Sequence, residues 1–310
     1  MLSCPRWVVT TFRAIKALGS RIIGPASEET TLRITKLLVF PIKSCKGTSM
    51  QEVRYTPEGL ENDRNLVIID AKSHAAVTAR KVSKMLLIHP QICYDSADPY
   101  GGTIEISFPP ESDCQAFSIP LNPDGELLES WPLVDDVRVW SSSNDGHIVR
   151  SIDPDAIFGL DTPSETLSNF LGRGVLLVRK GPRPRAVVPA PAFPDLKTTT
   201  AFQDGYPLLI ASEPSLRDIV KHIRIAAIDG EKLKIYRLNK EVWKDKEFAM
   251  ERFRPNIVID GDGMLAYDEE NWEDIKIGDA ASGEEGRIHV VSRCHRCQVR
   301  LQPKYIRGRH

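Results

Sequence analysis

Short apolar runs broken by polar turns fill the first half of the chain. Leu32, Ile34, Leu37, Leu38 and Val39 form a strand-like run ended by Pro41, and Lys43 to Gly47 follows as a polar loop. Val53 to Tyr55, Leu66 to Ile69, Leu86 to Ile92, Thr103 to Phe108, Phe117 to Ile119 and Val137 to Trp140 read as further strands. Glu58-Gly59 and Asp70-Ala71-Lys72 supply turns between them. This half is expected to be mostly β.

Helical spacing is rarer. Leu167, Phe170 and Leu171 fit one face of a short helix between Thr162 and Leu171, with Ser164 as the expected N-cap and Gly172 as the stop; a strand, Val175 to Val178, follows. Pro207 to Ala211 reads as a strand leading into a helix capped by Ser212 or Ser215, on which Leu216, Ile219, Val220 and Ile223 recur on one side. Residues 228 to 250 are charged without a clear period and suggest a surface insertion. The loop Phe253-Arg254-Pro255-Asn256 feeds a buried strand, Ile257 to Ile259, and Asp274 to Asp279 and Ile288 to Val291 supply the last strands. There is no internal repeat.

A chain of 310 residues accommodates two domains. Five prolines, at 182, 184, 189, 191 and 194, mark a linker. The expected organisation is therefore a terminal segment at 1–30, a β-rich domain at 31–180, a Pro-rich linker at 181–200 and a second domain at 201–310.

The N-terminus is chemically distinct. From Met1 to Ser27 there is no acidic residue, while Arg6, Arg13, Lys16 and Arg21 punctuate Trp7, Val8, Val9, Phe12, Ile15, Leu18, Ile22 and Ile23 in a roughly helical rhythm. That reads as a mitochondrial targeting segment or an interfacial anchor helix, against the plainer reading of a disordered basic tail. No apolar run reaches the ~18 residues of a membrane span.

Charge is abundant but balanced, 41 basic against 42 acidic residues, so nothing global points to nucleic acid and any anion site must be local. Six cysteines are too few and too unevenly spaced for a disulfide scaffold, which favours a reducing compartment. The tight cluster is Cys294-His295-Arg296-Cys297. A zinc site would need to recruit Cys45, Cys93, Cys114, His289 or His310, since no second pair exists. A thioredoxin-like pair belongs at a helix N-terminus, whereas this one follows a β run. One thiolate could instead serve a cofactor-bound metal, kept deprotonated by Arg293, Arg296 and Arg300. Two small buried hydrophobes remain the plain alternative.

The loop Phe40-Pro41-Ile42-Lys43-Ser44-Cys45-Lys46-Gly47 sets two ammonium groups, a hydroxyl and several backbone N–H groups directly after a strand, a composition that suits a phosphate without being a Walker loop. Asn62-Asp63-Arg64, Thr78-Ala79-Arg80 and Arg254-Pro255-Asn256 add arginines in loops beside strands. Their forks suit a planar anionic ligand such as a phosphorylated pterin, although each alone also reads as a solvated surface residue.

Taken in order with Phe202-Gln203-Asp204-Gly205-Tyr206-Pro207-Leu208-Leu209 and Phe253-Arg254-Pro255-Asn256-Ile257-Val258-Ile259, these motifs resemble the MOSC family from about Leu32 to Cys297. The branch they are most similar to is the mitochondrial amidoxime reducing type, itself similar to the C-terminal region of molybdenum cofactor sulfurases. The resemblance implies a predominantly β, α+β fold: a MOSC N-terminal β-rich domain and a β-barrel-like MOSC domain, with molybdenum-molybdopterin in the cleft between them. It implies that Lys43, Ser44 and Arg64 contact the cofactor phosphate or pterin and that Arg254 and Asn256 approach from the other domain. Asp204, Gly205 and Tyr206 would contribute backbone and near-site packing. Cys297 matches the molybdenum ligand and catalytic thiolate, and Cys294 a companion that does not ligate. The implied activity is reduction of N-hydroxylated substrates such as amidoximes, with electrons from NADH through a flavin reductase and a b-type haem cytochrome, in mitochondria or, alternatively, the cytoplasm. A non-catalytic cofactor-binding or sulfur-carrier module, with the pyridoxal phosphate association of sulfurases, is the second implication. Only Gln298 to His310 follow the cysteine motif, so the barrel is expected to be cut short and an inactive product is the third.

Overall fold

A computed structural model describes residues 13–16, 20–23, 32–150, 163–191, 193–229, 238–279 and 285–292. The chain forms a strand-rich α+β fold in which four sheets share a continuous apolar core.

The strand Leu32–Val39 is central. One edge pairs antiparallel with Ile257–Gly261, and beyond that strand Ile210–Ser212 adds in parallel. The other edge is shared by Ser20–Ile23 at its start and Thr48–Met50 at its end. Asp274–Asp279 and Glu285–His289 complete this seven-stranded sheet, which therefore draws on sequence from both sides of the Pro-rich segment. The register with Ile257–Gly261 shifts between Val258 and Ile259, which face Lys36 and Ile34 and leave Thr35 as the extra residue. The bulge explains the sequence pattern. Ile34 and Leu37 are an odd number of positions apart, yet Leu32, Ile34, Leu37 and Val39 all enter the main core, because one inserted residue turns the later side chains back to the same face. Leu38 and Phe40 consequently point the other way, into a small cluster with Met250 and Val258.

A four-stranded antiparallel sheet runs Leu133–Val139, Ser142–Ile148, Val175–Lys180, Leu66–Asp70, and a three-stranded one runs Phe117–Pro120, Gly102–Ser107, His89–Tyr94. Arg13–Lys16, Glu52–Thr56 and Gly59–Leu60 form the last. Gly59 makes the Thr56-to-Gly59 turn at φ +117°, where a Cβ would stand 2.6 Å from the Pro207 carbonyl oxygen.

Several local expectations change. The helical rhythm of the N-terminus is not followed where it is described: Arg13–Lys16 and Ser20–Ile23 are strands, because the open edges of Glu52–Thr56 and Leu32–Val39 satisfy their backbone groups. Leu86 and Leu87 lie in a 3₁₀ turn, Ser83–Leu87, and the strand begins only at His89. Pro207 to Leu209 is irregular, with the strand confined to Ile210–Ser212. Ser164 lies inside the helix Pro163–Leu171 rather than capping it; its buried hydroxyl accepts the Leu177 N–H at 3.0 Å. Ser212 does cap Glu213–Ile228, accepting the Ser215 N–H at 3.2 Å. The charged stretch after Ile228 is not all surface: Met250 is buried beside Phe40, and Phe248 stacks on Phe253 at 5.4 Å. Helix Gly125–Ser130 is too short, and strand Ser142–Ile148 too polar, to show an apolar period in the sequence. No helix of the described residues is long and apolar enough to cross a membrane.

Candidate functional site

The loop after the central strand is laced to the segment around Arg64. The Phe40 N–H donates to Asp63 Oδ1 at 2.9 Å, the Arg64 N–H to the Phe40 carbonyl at 2.8 Å, and the Lys43 N–H to the Leu66 carbonyl at 2.8 Å. Asp63 can play this part because it is buried and its other oxygen accepts from Arg64 Nη1. The Arg254 loop joins from the far end of the sequence. Its neighbour Asn256 sits against the same strand, its backbone carbonyl accepting the Leu38 N–H at 2.9 Å.

Three cationic side chains gather here. Lys43 is buried, donating from Nζ to the Phe202 carbonyl at 2.7 Å and to Asp204 Oδ1 at 2.5 Å. Arg64 donates to Asp63, to Asn256 Oδ1 at 3.2 Å and to the Arg254 carbonyl at 3.0 Å. Arg254 donates from Nη1 to the Cys45 carbonyl. Both guanidiniums lie over the Phe40 ring, at 4.8 Å for Arg64 and 4.2 Å for Arg254. The quadrupole of the ring attracts each cation, but it cannot remove the repulsion between them. Burial, and then the charge of Arg64, push the Arg254 pKa down to about 9. Arg254 Nη2 is buried without a hydrogen-bond partner.

Backbone strain concentrates at the same place. Ser44, Asn62, Arg64 and Arg254 all hold left-handed φ, at 71°, 62°, 53° and 61°. Such conformations cost a side-chain-bearing residue of order 1 kcal/mol or more each and persist where surroundings impose them, often at functional sites. Gly47 is required for another reason: a Cβ there would meet the Phe40 ring at 2.5 Å, so its absence lets the loop close over the ring that carries both arginines.

The structure therefore brings together Lys43, Ser44, Arg64, Asp204, Arg254 and Asn256. Gly205 and Tyr206 follow Asp204 in the chain; Gly205 is exposed with open space where a Cβ would be, and the Tyr206 hydroxyl reaches toward the Val188 carbonyl at 3.5 Å. Arg80, from the Thr78-Ala79-Arg80 motif, stands 5.3 Å over the Trp140 ring, and Lys43 Nζ lies 5.8 Å from the same ring. Trp140 went unmarked in the sequence, where it reads only as a strand end. It is in fact turned out at φ 56°, 53 % exposed, donating Nε1–H to Asp204 Oδ1 at 3.2 Å. A bulky residue in that conformation is the signal, and only coordinates reveal it. Cys294 and Cys297, with Arg293, His295, Arg296 and Arg300, lie outside the described residues. Cys45, in the loop itself, is buried and its thiol is pushed up to about 12 by burial, against the opposing charge of Arg254, so the free side chain stays protonated at neutral pH.

Fold and site together define a strand-rich α+β protein with a buried, cation-rich junction at the start and end of its central strand pair. The chain belongs to the MOSC family: the MOSC N-terminal beta barrel domain matches residues 31–148 and the MOSC domain residues 197–301. It is similar to the molybdenum cofactor sulfurase of Danio rerio, 26% identical over 267 residues that cover 86% of this chain and 28% of the sulfurase. It is also similar to mitochondrial amidoxime reducing component 2 of Homo sapiens, 29% identical over 282 residues covering 85% of this chain and 64% of that protein. The Macaca fascicularis protein of the same name is 29% identical over 279 residues, with coverage of 84% and 64%. The chain thus spans less than two thirds of the length of each of these relatives.

A molybdenum cofactor is the group these relatives imply, and the residues present fit its anionic part. Lys43, Arg64 and Arg254 outnumber the adjacent carboxylates Asp63 and Asp204, and the orphaned Arg254 Nη2 is a buried donor awaiting an acceptor. Among the described residues no group of three or more His, Cys, Asp or Glu is placed to hold a bare metal ion. A metal brought by its own organic ligand needs no such group.

Proposed function

We propose that this chain binds a molybdenum-molybdopterin cofactor and reduces N-hydroxylated compounds such as amidoximes. The observation that carries the reading is the excess of positive charge at the buried Lys43 and Arg64 and the half-buried Arg254, with one buried guanidinium nitrogen of Arg254 left without a partner. Lys43, Ser44 and Arg64 from one side, Arg254 and Asn256 from the other, would hold the phosphate and pterin, with Asp204, Gly205 and Tyr206 lining the approach. Cys297 would supply the thiolate to the metal. When bound, the cofactor supplies two-electron redox chemistry at a metal with exchangeable oxo positions. The protein contributes orientation: ammonium as a point charge, guanidiniums as planar forks, and a site already desolvated before the ligand arrives. The division into 31–180 and 201–310, joined through 181–200, belongs to the same proposal.

Electrons would come from NADH through a flavin reductase and a b-type haem cytochrome, as the family resemblance implies, and the mitochondrion is the proposed location, which the names of the mitochondrial amidoxime reducing relatives support. Purified protein supplied with those donors should convert benzamidoxime to benzamidine. Absence of amidine at full molybdenum loading would reject the activity. A second reading, a cofactor-binding or sulfur-handling module without turnover, is supported by the similarity to the sulfurase, whose match covers 86% of this chain as the amidoxime reducing matches cover 84% and 85%. Cys297→Ser separates the two: a reductase loses activity while keeping the pterin, and a carrier has no activity to lose.

A further inference from the structure

Arg185 lies in the Pro-rich segment, outside every motif of the site, yet it is buried. Its Nη1 donates to two carbonyls, Ala201 at 3.1 Å and Gln203 at 2.8 Å, and its Nε donates to Ser142 Oγ at 3.0 Å. Among the described residues no carboxylate pairs with it, and burial lowers its pKa. A buried cation satisfied only by neutral oxygens is a costly way to join two loops unless their relative placement matters.

Both of those loops end on Lys43. The Phe202 carbonyl, between the two carbonyls that Arg185 holds, accepts from Lys43 Nζ at 2.7 Å. Ser142, which also donates to the Val139 carbonyl at 2.8 Å, closes the turn that presents Trp140. Trp140 Nε1–H and Lys43 Nζ then converge on one atom, Asp204 Oδ1. The circuit runs Arg185, Ser142, the Trp140 turn, Asp204, Lys43, Phe202 and back to Arg185. Gln203 braces the same loop from the other side, donating from Nε2 to the Asp63 carbonyl at 3.0 Å, with its Oε1 accepting from Thr200 at 2.6 Å.

We infer that Arg185 is a positioning residue for the anion site: by clamping the Ala201–Gln203 loop to the Val139–Ser142 turn, it fixes where Asp204 holds the Lys43 ammonium. The inference rests on the cofactor reading. Its function is to hold the Phe202 carbonyl and the Asp204 carboxylate in place, so that together they fix the Lys43 ammonium beside the anion site. A guanidinium fork spans three acceptors from a fixed plane, and a lysine at 185 cannot.

The test uses holoprotein purified from cells that make the cofactor, and reads the rate at which pterin leaves the chain, with thermal unfolding recorded in parallel. If the wild-type chain carries no pterin, the cofactor reading itself fails. If it does, Arg185→Met is expected to speed pterin loss about tenfold, with Arg185→Lys failing to rescue it. The decisive measurement is a double-mutant cycle with Asp204→Asn. If Arg185 acts through Asp204 and Lys43, the double variant loses pterin little faster than the worse single variant. Additive effects, or pterin loss unchanged from wild type, would overturn the inference by leaving Arg185 a purely structural clamp. Should Arg185→Met not fold, Ser142→Ala removes one arm of the same circuit and enters the same cycle with the same criteria.

Discussion

Asn256 Oδ1 accepts from Arg64 Nη1 at 3.2 Å, joining residues 192 positions apart in the sequence. The same oxygen accepts the Leu209 N–H at 3.2 Å, and Nδ2 donates to the Leu38 carbonyl at 3.2 Å. One buried amide thus ties the Arg64 loop, the central strand and the approach to the Ile210–Ser212 strand together.

Asn256→Ala strands the Leu38 carbonyl and the Leu209 N–H and removes one of two side-chain acceptors of Arg64 Nη1, and each stranded group costs about 1 kcal/mol or more. The expected destabilisation is about 2 kcal/mol by denaturant unfolding. Asn256→Asp should cost less, since it keeps an acceptor for Leu209 and Arg64 while losing the donor to Leu38. Equal effects of the two substitutions would show that the carboxamide oxygen is not what matters.

The Arg254 pKa of about 9 has a direct consequence for the ligand-free chain. A cation whose folded pKa is depressed binds fewer protons folded than unfolded at pH above that value. Its cost is present in full below pH 9 and is relieved as pH rises, by up to about 1.4 kcal/mol per pH unit. The stability of wild type relative to Arg254→Met should therefore be flat from pH 6 to 8 and then climb. A difference independent of pH up to 10.5 would mean the guanidinium is not desolvated.

Cys45 should resist alkylation in the native state. Burial holds its thiol up to about 12, whereas Cys93 and Cys114 are only half-buried. At pH 8 peptide mapping should find iodoacetamide on Cys93 and Cys114 first, and on Cys45 only after denaturation. Early labelling of Cys45 would show that the loop opens on the reagent's timescale.

Gly47→Ala places a methyl 2.5 Å from the Phe40 ring, in a cluster where Phe40 is buried. Overpacking of this kind costs about 1–3 kcal/mol, and the ring must shift under both guanidiniums. A calorimetric destabilisation in that range, with weaker pterin retention, is expected. Unchanged stability would show that the loop can give without moving the ring.

How far the sequence carried depends on the kind of contact. The central strand was legible because Leu32 to Val39 combines apolar density with a terminating Pro41, although the bulge at Thr35 was not, since the register comes from Ile257–Gly261. Lys43, Arg64, Arg254 and Asn256 stood out as polar residues in loops beside strands, and the structure gathers them. Trp140 and Arg185 did not stand out, and Phe40 did so only as the start of its loop: a ring under two arginines, an indole at positive φ and an arginine capping carbonyls each take their meaning from partners far along the chain. The N-terminal helical rhythm misled at Arg13–Lys16 and Ser20–Ile23, because strand edges elsewhere in the fold were available to pair with them.

The most direct measurement is the molybdenum and pterin content of the purified chain beside that of Arg64→Ala/Arg254→Ala, both from cells that make the cofactor. Stoichiometric pterin and metal in the wild type, with both lost in the folded double variant, is the expected result. A wild-type chain free of pterin, or a double variant that retains it in full, would contradict the assignment of this cationic junction as the cofactor site.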